Sequence, residues 1–308
     1  MEELHRPYYK FSDYLQERFG CRVHKVSIDA GFSCPNRDGT TGSDGCIFCN
    51  NQGFSLHARL PEKSIRDQIK KGVEAGIQRF KAEKFIIYFQ AYTNTYAPLA
   101  ELREKYDVVR SFYNIAAIAI GTRPDCLNAE VLDLIESYAG DYEVWLELGL
   151  QSIHDKTLGL INRGHSYQQF LDAYAQIQQR KAIKVCVHVI LGLPGESQAD
   201  MLDTAKELAR LRVDAVKIHP LHVLKGTKLE RMFKAGEYSP MALDEYAALA
   251  VDFLEYLWPQ TVVQRISADA PADFLVAPQW LADKNSVLQK IDTLLNASGK
   301  FQGRLYQG

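Results

Sequence analysis

The sequence predicts an α/β protein built on a parallel β-sheet, either an open doubly wound sheet or a barrel. Three observations lead to this prediction. Six apolar runs of strand length alternate with stretches of helical periodicity over residues 1–222. The runs are apolar throughout, as strands buried on both faces should be. Several helical stretches also open on Ser or Asn, which are favoured N-cap residues.

The predicted strands are rich in Val, Ile, Leu or aromatic residues and cover residues 23–30, 85–90, 115–122, 144–150, 185–191 and 215–221. The predicted helices between them cover residues 64–82, 128–138, 166–181 and 197–212. Beyond residue 222, two more helices, 240–258 and 278–295, flank one short strand, 262–267. We expect a main domain over residues 1–222 and an extension over 223–308 packed on it, because no Pro/Gly/Ser linker separates them.

The composition restricts the classes of function that the protein can have. The chain has 308 residues, with 36 Lys+Arg against 38 Asp+Glu. A chain of this length buries a large core without a metal or disulfide staple, so a metal site is expected to be functional. The net charge of −2 argues against indiscriminate binding to nucleic acid or to anionic membranes. With no signal-peptide pattern and no run of ~18–20 apolar residues, we expect a cytoplasmic protein without a membrane partner.

A Gly-rich loop after the first predicted strand holds Cys34, Cys46 and Cys49. In a reducing compartment, thiolates this close favour a metal centre over disulfides. Three ligands are fewer than the four of a closed structural zinc site, so either one coordination position is open or His24 or His57 completes a zinc site. The other cysteines are isolated and are predicted to be buried or incidental thiols: Cys21, Cys126 and Cys186.

The spacing of these cysteines, with Phe48 just before the last, resembles the cluster motif of radical S-adenosylmethionine (SAM) enzymes of the elongator-like branch. The resemblance implies a partial (β/α)6 TIM barrel in which Cys34, Cys46 and Cys49 hold a [4Fe-4S] cluster. It also implies that the fourth iron binds SAM, and that an electron from a donor such as flavodoxin or ferredoxin cleaves SAM to methionine and a 5′-deoxyadenosyl radical.

Polar residues at the later strand ends extend the resemblance. Period-2 alternation puts Glu147, Gly149 and Gln151 on one face of a buried strand, which predicts a polar, occupied barrel interior. In relatives with this pattern the residue at Gln151 contacts the SAM ribose and that at Arg163 its carboxylate. The cofactor-binding residues predicted in this way are Phe48, Gln90, Thr122, Arg123, Glu147, Gln151, Arg163, His188, Gly192 and His219. The predicted substrate-side residues are Tyr92, Asn94, Tyr96, His222 and Lys225.

Some of these assignments keep alternatives. Arg163 is a SAM ligand or a surface charge at a helix end, and His188 is a SAM contact or a hydrogen-bonded core histidine. Arg123 suits either the SAM carboxylate or a substrate anion. Gln90 lies where many radical SAM enzymes carry a Gly-Gly-Glu segment, from which this chain departs.

Residues 89–96, 121–127, 147–151 and 217–222 together resemble the YtqA/YhcC-like radical SAM proteins, which are related to the radical SAM domain of the elongator acetyltransferase. The chain after His222 is too short for an acetyltransferase domain. The MnmL-type member of this group implies a tRNA substrate: it converts 5-carboxymethylaminomethyl-(2-thio)uridine at the wobble position to 5-aminomethyl-(2-thio)uridine, which a separate SAM-dependent methyltransferase then methylates. The alternatives are a radical SAM enzyme acting on a small molecule or protein, and a non-catalytic, zinc-stabilised RNA-binding protein.

Overall fold

The computed structural model describes residues 6–51 and 64–308, and His57 lies outside this part of the chain. Its strands are β1 (Val23–Ile28), β2 (Lys84–Phe89), β3 (Ile115–Thr122), β4 (Glu143–Gln151), β5 (Ile183–Leu191), β6 (Ala215–Pro220), β7 (Val223–Leu224), β8 (Val262–Arg265) and β9 (Leu275–Ala277). Its helices are α1 (Phe11–Phe19), α2 (Ile65–Phe80), α3 (Leu99–Asp107), α4 (Ala129–Glu136), α5 (Asp155–Leu160), α6 (Tyr167–Gln178), α7 (Gln198–Leu211), α8 (Lys228–Lys234), α9 (Leu243–Tyr256) and α10 (Lys284–Ser298).

The order of the strands distinguishes the two predicted architectures. In the described chain the main sheet runs β1-β2-β3-β4-β5-β6-β8, and every pairing within it is parallel. A doubly wound sheet reverses its strand order at a switch point, whereas a barrel adds each strand beside the previous one. The sheet is therefore a partial parallel barrel with β1 and β8 as its edges.

The seventh strand comes from the C-terminal extension. Val262 and Val263 of β8 are buried and pair with Ala215 and Val216 of β6. The six strands predicted from residues 1–222 are therefore joined by one predicted from the extension. Strands β7 and β9 form a separate antiparallel pair.

Four helix starts follow the predicted caps. The side chains of Ser64, Asn128, Ser166 and Ser197 each accept a hydrogen bond from the backbone N–H three residues later. The last helix departs from its prediction of 278–295. A 3₁₀ turn occupies Gln279–Ala282, and α10 begins at Lys284 because the Asp283 carboxylate accepts the N–H groups of the next residues.

Helix α1 covers the end of the barrel where the strands begin. Its Leu15 is buried in a cluster that contains Ile86, Ala117 and Trp145 from the barrel interior. The outward-facing Leu146, Leu148 and Leu150 of β4 instead belong to the large core that the barrel shares with the outer helices. This arrangement leaves the carboxyl ends of the strands open. No helix in the described ranges combines the length and apolarity needed to cross a bilayer.

Candidate active site

The loop that carries the cysteines is fixed to the C-terminal side of the barrel. Ile47 is buried among Leu158 and Ile161, and its N–H donates to the Ile161 carbonyl at 3.0 Å. The Ile47 carbonyl in turn accepts the Leu229 N–H at the start of α8, at 2.8 Å. The backbone between Cys46 and Cys49 is thus held between α5 and α8.

The thiols of Cys34, Cys46 and Cys49 line one cavity at the carboxyl ends of the strands, which we call the thiol cavity. Three donors point at two of the sulfurs. Arg163 Nη1 lies 3.6 Å and Asn36 Nδ2 3.7 Å from Cys46 Sγ, and Arg37 Nη1 lies 3.7 Å from Cys49 Sγ. Hydrogen bonds to the charged form of a group stabilise it, so these donors favour thiolates.

This donor set fits an iron–sulfur cluster. Burial raises the pKa of Cys49 to about 11, with the charges of Cys46 and Cys34 adding to the rise and Arg37 opposing it. A bound metal centre supplies the positive charge that the three thiolates need. Within residues 6–51 and 64–308, no three Cys, His, Asp or Glu side chains are grouped around a position for one metal ion. In a [4Fe-4S] site the thiolates instead surround a cluster of irons.

His24 is not placed to complete a zinc site. It lies near the start of β1, whereas the cysteine loop follows the opposite end of that strand. Its ring stacks on Phe80 at 4.5 Å between ring centroids. The prediction of His24 as a fourth ligand is therefore wrong, because the strand separates it from the thiols.

Arg163 is buried beside the thiols, with 7% of its surface exposed. Its Nε and Nη2 donate to the Gly149 carbonyl at 3.2 and 2.5 Å. A Cβ at position 149 would lie 2.6 Å from Arg163 Nη2, so glycine is needed there for the close approach. Arg123 donates from Nη1 to the Arg163 carbonyl at 2.8 Å and is paired with Asp125. These contacts exclude the interpretation of Arg163 as a surface charge.

The barrel interior holds a buried charge network centred on Glu147, which is 1% exposed. The Glu147 carboxylate accepts hydrogen bonds from Lys25 Nζ at 3.0 Å, from His188 Nε2 at 2.9 Å, and from Lys217. Burial alone would raise the pKa of Glu147, but Lys217 and Lys25 hold it well below its usual value. Burial lowers the pKa of Lys217 to about 7, and that of His188 to about 4.

The predicted alternation along β4 is confirmed. Glu147, Gly149 and Gln151 line the thiol cavity, while the intervening leucines are buried in the outer core. Gln151 sits at an irregularity in the pairing with β5 and has a φ of 79°. Backbone strain of this kind is often found at functional sites.

Most of the predicted site residues converge on the thiol cavity. Those that line it are Cys34, Cys46, Phe48, Cys49, Gln90, Tyr92, Thr122, Arg123, Glu147, Gln151, Arg163, His188, His219 and His222. Four others are not among the described residues that line it: Asn94, Tyr96, Gly192 and Lys225.

Each of these four has another structural position. The buried Asn94 amide donates to the Gly121 carbonyl at 2.8 Å, and the Tyr96 hydroxyl lies 2.8 Å from that of Thr40. The Gly192 carbonyl accepts from the Tyr238 hydroxyl at 3.2 Å. The carbonyl of the exposed Lys225 accepts from Asn50 Nδ2 at 2.7 Å. These contacts stabilise the loops around the cavity.

Sequence reasoning missed several polar residues of the site and the network, among them Asn36, Arg37, Lys25, Lys217 and Tyr88. For the two lysines a signal existed, because a lysine in the middle of a buried strand needs an acidic partner. Glu147, already predicted to face the interior, was the available partner. No comparable signal marked Asn36 and Arg37, whose contacts with the sulfurs depend on how the loop folds.

The cysteines of this partial parallel barrel lie at the carboxyl ends of the strands, where barrel enzymes have their active sites. Residues 34–208 match the family model described as the Radical SAM superfamily, and residues 213–297 match the Radical_SAM C-terminal domain. The chain belongs to the radical SAM superfamily, whose cofactors are a [4Fe-4S] cluster and SAM. The predicted family, fold and cofactors are thereby confirmed.

Three known proteins show how this chain compares with individual relatives. Protein YhcC of Escherichia coli is 41% identical over 290 residues, which cover 94% of this chain and 92% of that protein. The tRNA uridine(34) acetyltransferase of Methanocaldococcus infernus is 33% identical over 169 residues, covering 53% of this chain and 30% of the relative. The structure of M. infernus Elp3 with an N-terminal deletion has a similar fold, with a TM-score of 0.71 and 20% identity over 92% of this chain and 64% of that one.

Proposed function

We propose that this radical SAM enzyme acts in the cytoplasm on the wobble uridine of tRNA. The proposed reaction converts 5-carboxymethylaminomethyl-(2-thio)uridine to 5-aminomethyl-(2-thio)uridine. The observation that carries the proposal is the convergence of Cys34, Cys46 and Cys49 on a cavity that opens into a polar barrel interior. Similarity to a tRNA uridine(34) acetyltransferase supports the choice of tRNA.

The three cysteines are the proposed ligands of the cluster. Hydrogen bonds from Asn36 and Arg163 to Cys46, and from Arg37 to Cys49, lower the cost of the negative charge that cluster and thiolates carry together. When bound, the cluster and SAM would supply a 5′-deoxyadenosyl radical for hydrogen abstraction from the glycine-derived CH₂ of the modified base. Transfer of one electron from the substrate radical back to the cluster would leave an imine, and water would cleave its C=N bond to give the aminomethyl base and glyoxylate. Flavodoxin or ferredoxin is the proposed electron donor.

The proposed SAM contacts come from strand ends around the thiols. Arg163 is held by the Gly149 carbonyl and Arg123 by Asp125, and both line the thiol cavity, where Arg163 is the proposed partner of the SAM carboxylate. Gln151 is proposed to contact the ribose. Because burial lowers the pKa of His188 to about 4, and that of His219 well below its usual value, both rings are neutral at pH 7.

Residues at the mouth of the cavity are proposed to hold the base. Tyr92 lines the cavity and is 38% exposed, which suits stacking on a base turned out of an RNA loop. His222 also lines this cavity. The extension supplies β7, β8, β9, α8, α9 and α10 to the fold. A separate methyltransferase is proposed to act on the product.

Mass spectrometry of tRNA nucleosides from a deletion strain tests this function. We expect the carboxymethylaminomethyl nucleoside to accumulate and wild-type protein to reverse this accumulation. Cys46→Ala should fail to restore the profile, and Cys21→Ala should restore it, because Cys21 precedes β1 and does not line the cavity. An unchanged nucleoside profile in the deletion strain would refute the proposal.

A further inference from the structure

A second pocket lies at the open side of the barrel, between its two edge strands. Strands β1 and β8 line it together with α1, the segment before α1 and part of α10. We call it the seam pocket. Five basic side chains line it: Lys10, Lys25, Lys217, Arg265 and Lys284. Its lining includes no Asp or Glu among the described residues.

The basic residues of the seam pocket outnumber their acidic partners. Lys25 and Lys217 share the single carboxylate of Glu147. Arg265 and Lys284 both reach Asp269, each at 3.3 Å, and Lys10 lies 3.6 Å from Asp292. Five basic side chains thus share three carboxylates, so the pocket keeps an excess of positive charge that favours an anion.

An unsatisfied donor lies among these charges. The Gln264 side chain accepts from Lys25 Nζ at 3.0 Å through its Oε1. Its Nε2 is buried and has no hydrogen-bond partner in the described structure. Buried amide groups are nearly always paired, so this nitrogen indicates an acceptor that binds in the pocket.

The seam pocket adjoins the thiol cavity. Tyr88, Gln90, Lys217 and Arg265 line both spaces. Lys217 Nζ lies over the Tyr88 ring at 4.4 Å from its centroid, within this shared wall. A ligand bound in the seam pocket therefore contacts side chains that also line the thiol cavity.

We propose that the seam pocket is an oxyanion-binding subsite for the substrate, in which Lys25 and Gln264 Nε2 bind a carboxylate or a phosphate group. The identity of this oxyanion rests on the proposed function, whereas the existence of the subsite does not. In a tRNA substrate it is either the carboxylate of the modified uridine or a backbone phosphate. A carboxylate bound here fixes the side chain of the base, and a phosphate fixes the register of the RNA.

Selenate tests the subsite without reference to RNA. Crystals of the cluster-loaded protein are soaked in selenate, whose selenium is located by anomalous scattering. We expect selenate oxygens within about 3.2 Å of Lys25 Nζ and Gln264 Nε2, and loss of this peak in Gln264→Leu. A seam pocket without selenate in the wild-type protein would overturn the proposal.

Binding to anticodon stem-loop RNAs then distinguishes the two oxyanions. The RNAs carry uridine, 5-aminomethyluridine or 5-carboxymethylaminomethyluridine at the wobble position, and the variants are Lys25→Met and Gln264→Leu. Lys290→Met is the control, since Lys290 pairs with Asp244 and does not line the pocket. Melting temperature and iron content establish that each variant is folded and loaded.

If the carboxylate binds here, both variants should bind the carboxylate-bearing RNA at least tenfold more weakly than the wild type. Their affinities for the other two RNAs should stay within twofold of the wild-type values. If a phosphate binds here, the variants should lose affinity for all three RNAs by the same factor. Unchanged affinity of both variants for all three RNAs would overturn the subsite. Failure of the wild-type protein to bind any of the RNAs counts against the tRNA function, and the selenate result then decides the subsite by itself.

Discussion

At the scale of single residues, the position of Arg163 depends on a glycine in the neighbouring strand. Gly149 offers its carbonyl to Arg163 and has no side chain to block the guanidinium. His165 Nε2 also lies 3.1 Å from this carbonyl. The backbone at Gly149 therefore orients the cation that lies against Cys46.

Gly149→Ala should move Arg163. The added Cβ would lie 2.6 Å from Arg163 Nη2 and 2.9 Å from Gln151 Nε2, so both side chains must shift. Since both are proposed SAM contacts, we expect SAM affinity and 5′-deoxyadenosine formation to fall tenfold or more, measured by equilibrium dialysis and chromatography. Gly159→Ala, in α5, is the control because its Cβ would meet nothing within 4 Å. Equal activity of the two variants would contradict this role for Gly149.

His188 gives a pH-dependent contribution to stability. Burial lowers its pKa to about 4, with Lys217 adding to the shift and Glu147 opposing it. Between pH 6.5 and 4 the unfolded chain binds a proton that the native state does not, so stability falls as the pH drops, by at most about 1.4 kcal/mol per pH unit.

In His188→Gln this contribution is removed while a hydrogen-bond donor to Glu147 remains. Lowering the pH from 7 to 4.5 should therefore reduce the free energy of unfolding of the wild type more than that of the variant. Urea denaturation of the cluster-free proteins at both pH values measures it. A difference that stays constant with pH would show that His188 is protonated in both states or in neither.

The sequence correctly predicted the positions of residues that depend only on the pattern of their own strand. Period-2 alternation was enough to place Glu147 and Gln151 in the barrel interior. A lysine in a buried strand signals the need for an acidic partner, but the sequence alone does not show that Lys25 and Lys217 share Glu147, because β1, β4 and β6 face one another only after the sheet curls. Asn94 and Tyr96 were predicted on the site because they follow a strand, yet the Asn94 side chain bonds to the backbone of β3 and that of Tyr96 to Thr40 in the cysteine loop.

At the scale of secondary-structure elements, the capping serines determine where helices begin. Ser166 forms a capping box in which its hydroxyl accepts the Gln169 N–H at 3.2 Å and the Gln169 side chain accepts the Ser166 N–H at 2.8 Å. Such local signals explain why four helix starts and the bounds of β3 could be predicted from sequence. The place of β8 beside β6 could not, because strand pairing between distant segments leaves no local pattern.

Ser166→Ala should lower the free energy of unfolding by about 1 kcal/mol, because the N–H that the hydroxyl accepts loses its partner. Urea denaturation measures the change. The control is Ser298→Ala in the last turn of α10, where the hydroxyl only donates to the Leu294 carbonyl of its own helix. We expect the control to change stability by less than about 0.5 kcal/mol. Equal losses in both variants would contradict the capping role.

At the scale of the whole molecule, the near balance of 36 basic and 38 acidic residues conceals an uneven distribution. The seam pocket collects basic side chains, and the barrel interior pairs two lysines with one glutamate. The total charge therefore says little about whether the protein binds an anion at one particular place.

The most direct test of the central claim is the iron content and SAM cleavage of cysteine variants after anaerobic reconstitution. We expect about four irons per chain in the wild-type protein and formation of 5′-deoxyadenosine with dithionite and SAM. Cys34→Ala, Cys46→Ala and Cys49→Ala should each abolish 5′-deoxyadenosine formation, while Cys21→Ala retains it. A colourless wild-type protein that takes up one zinc, or undiminished SAM cleavage by Cys46→Ala, would contradict the account.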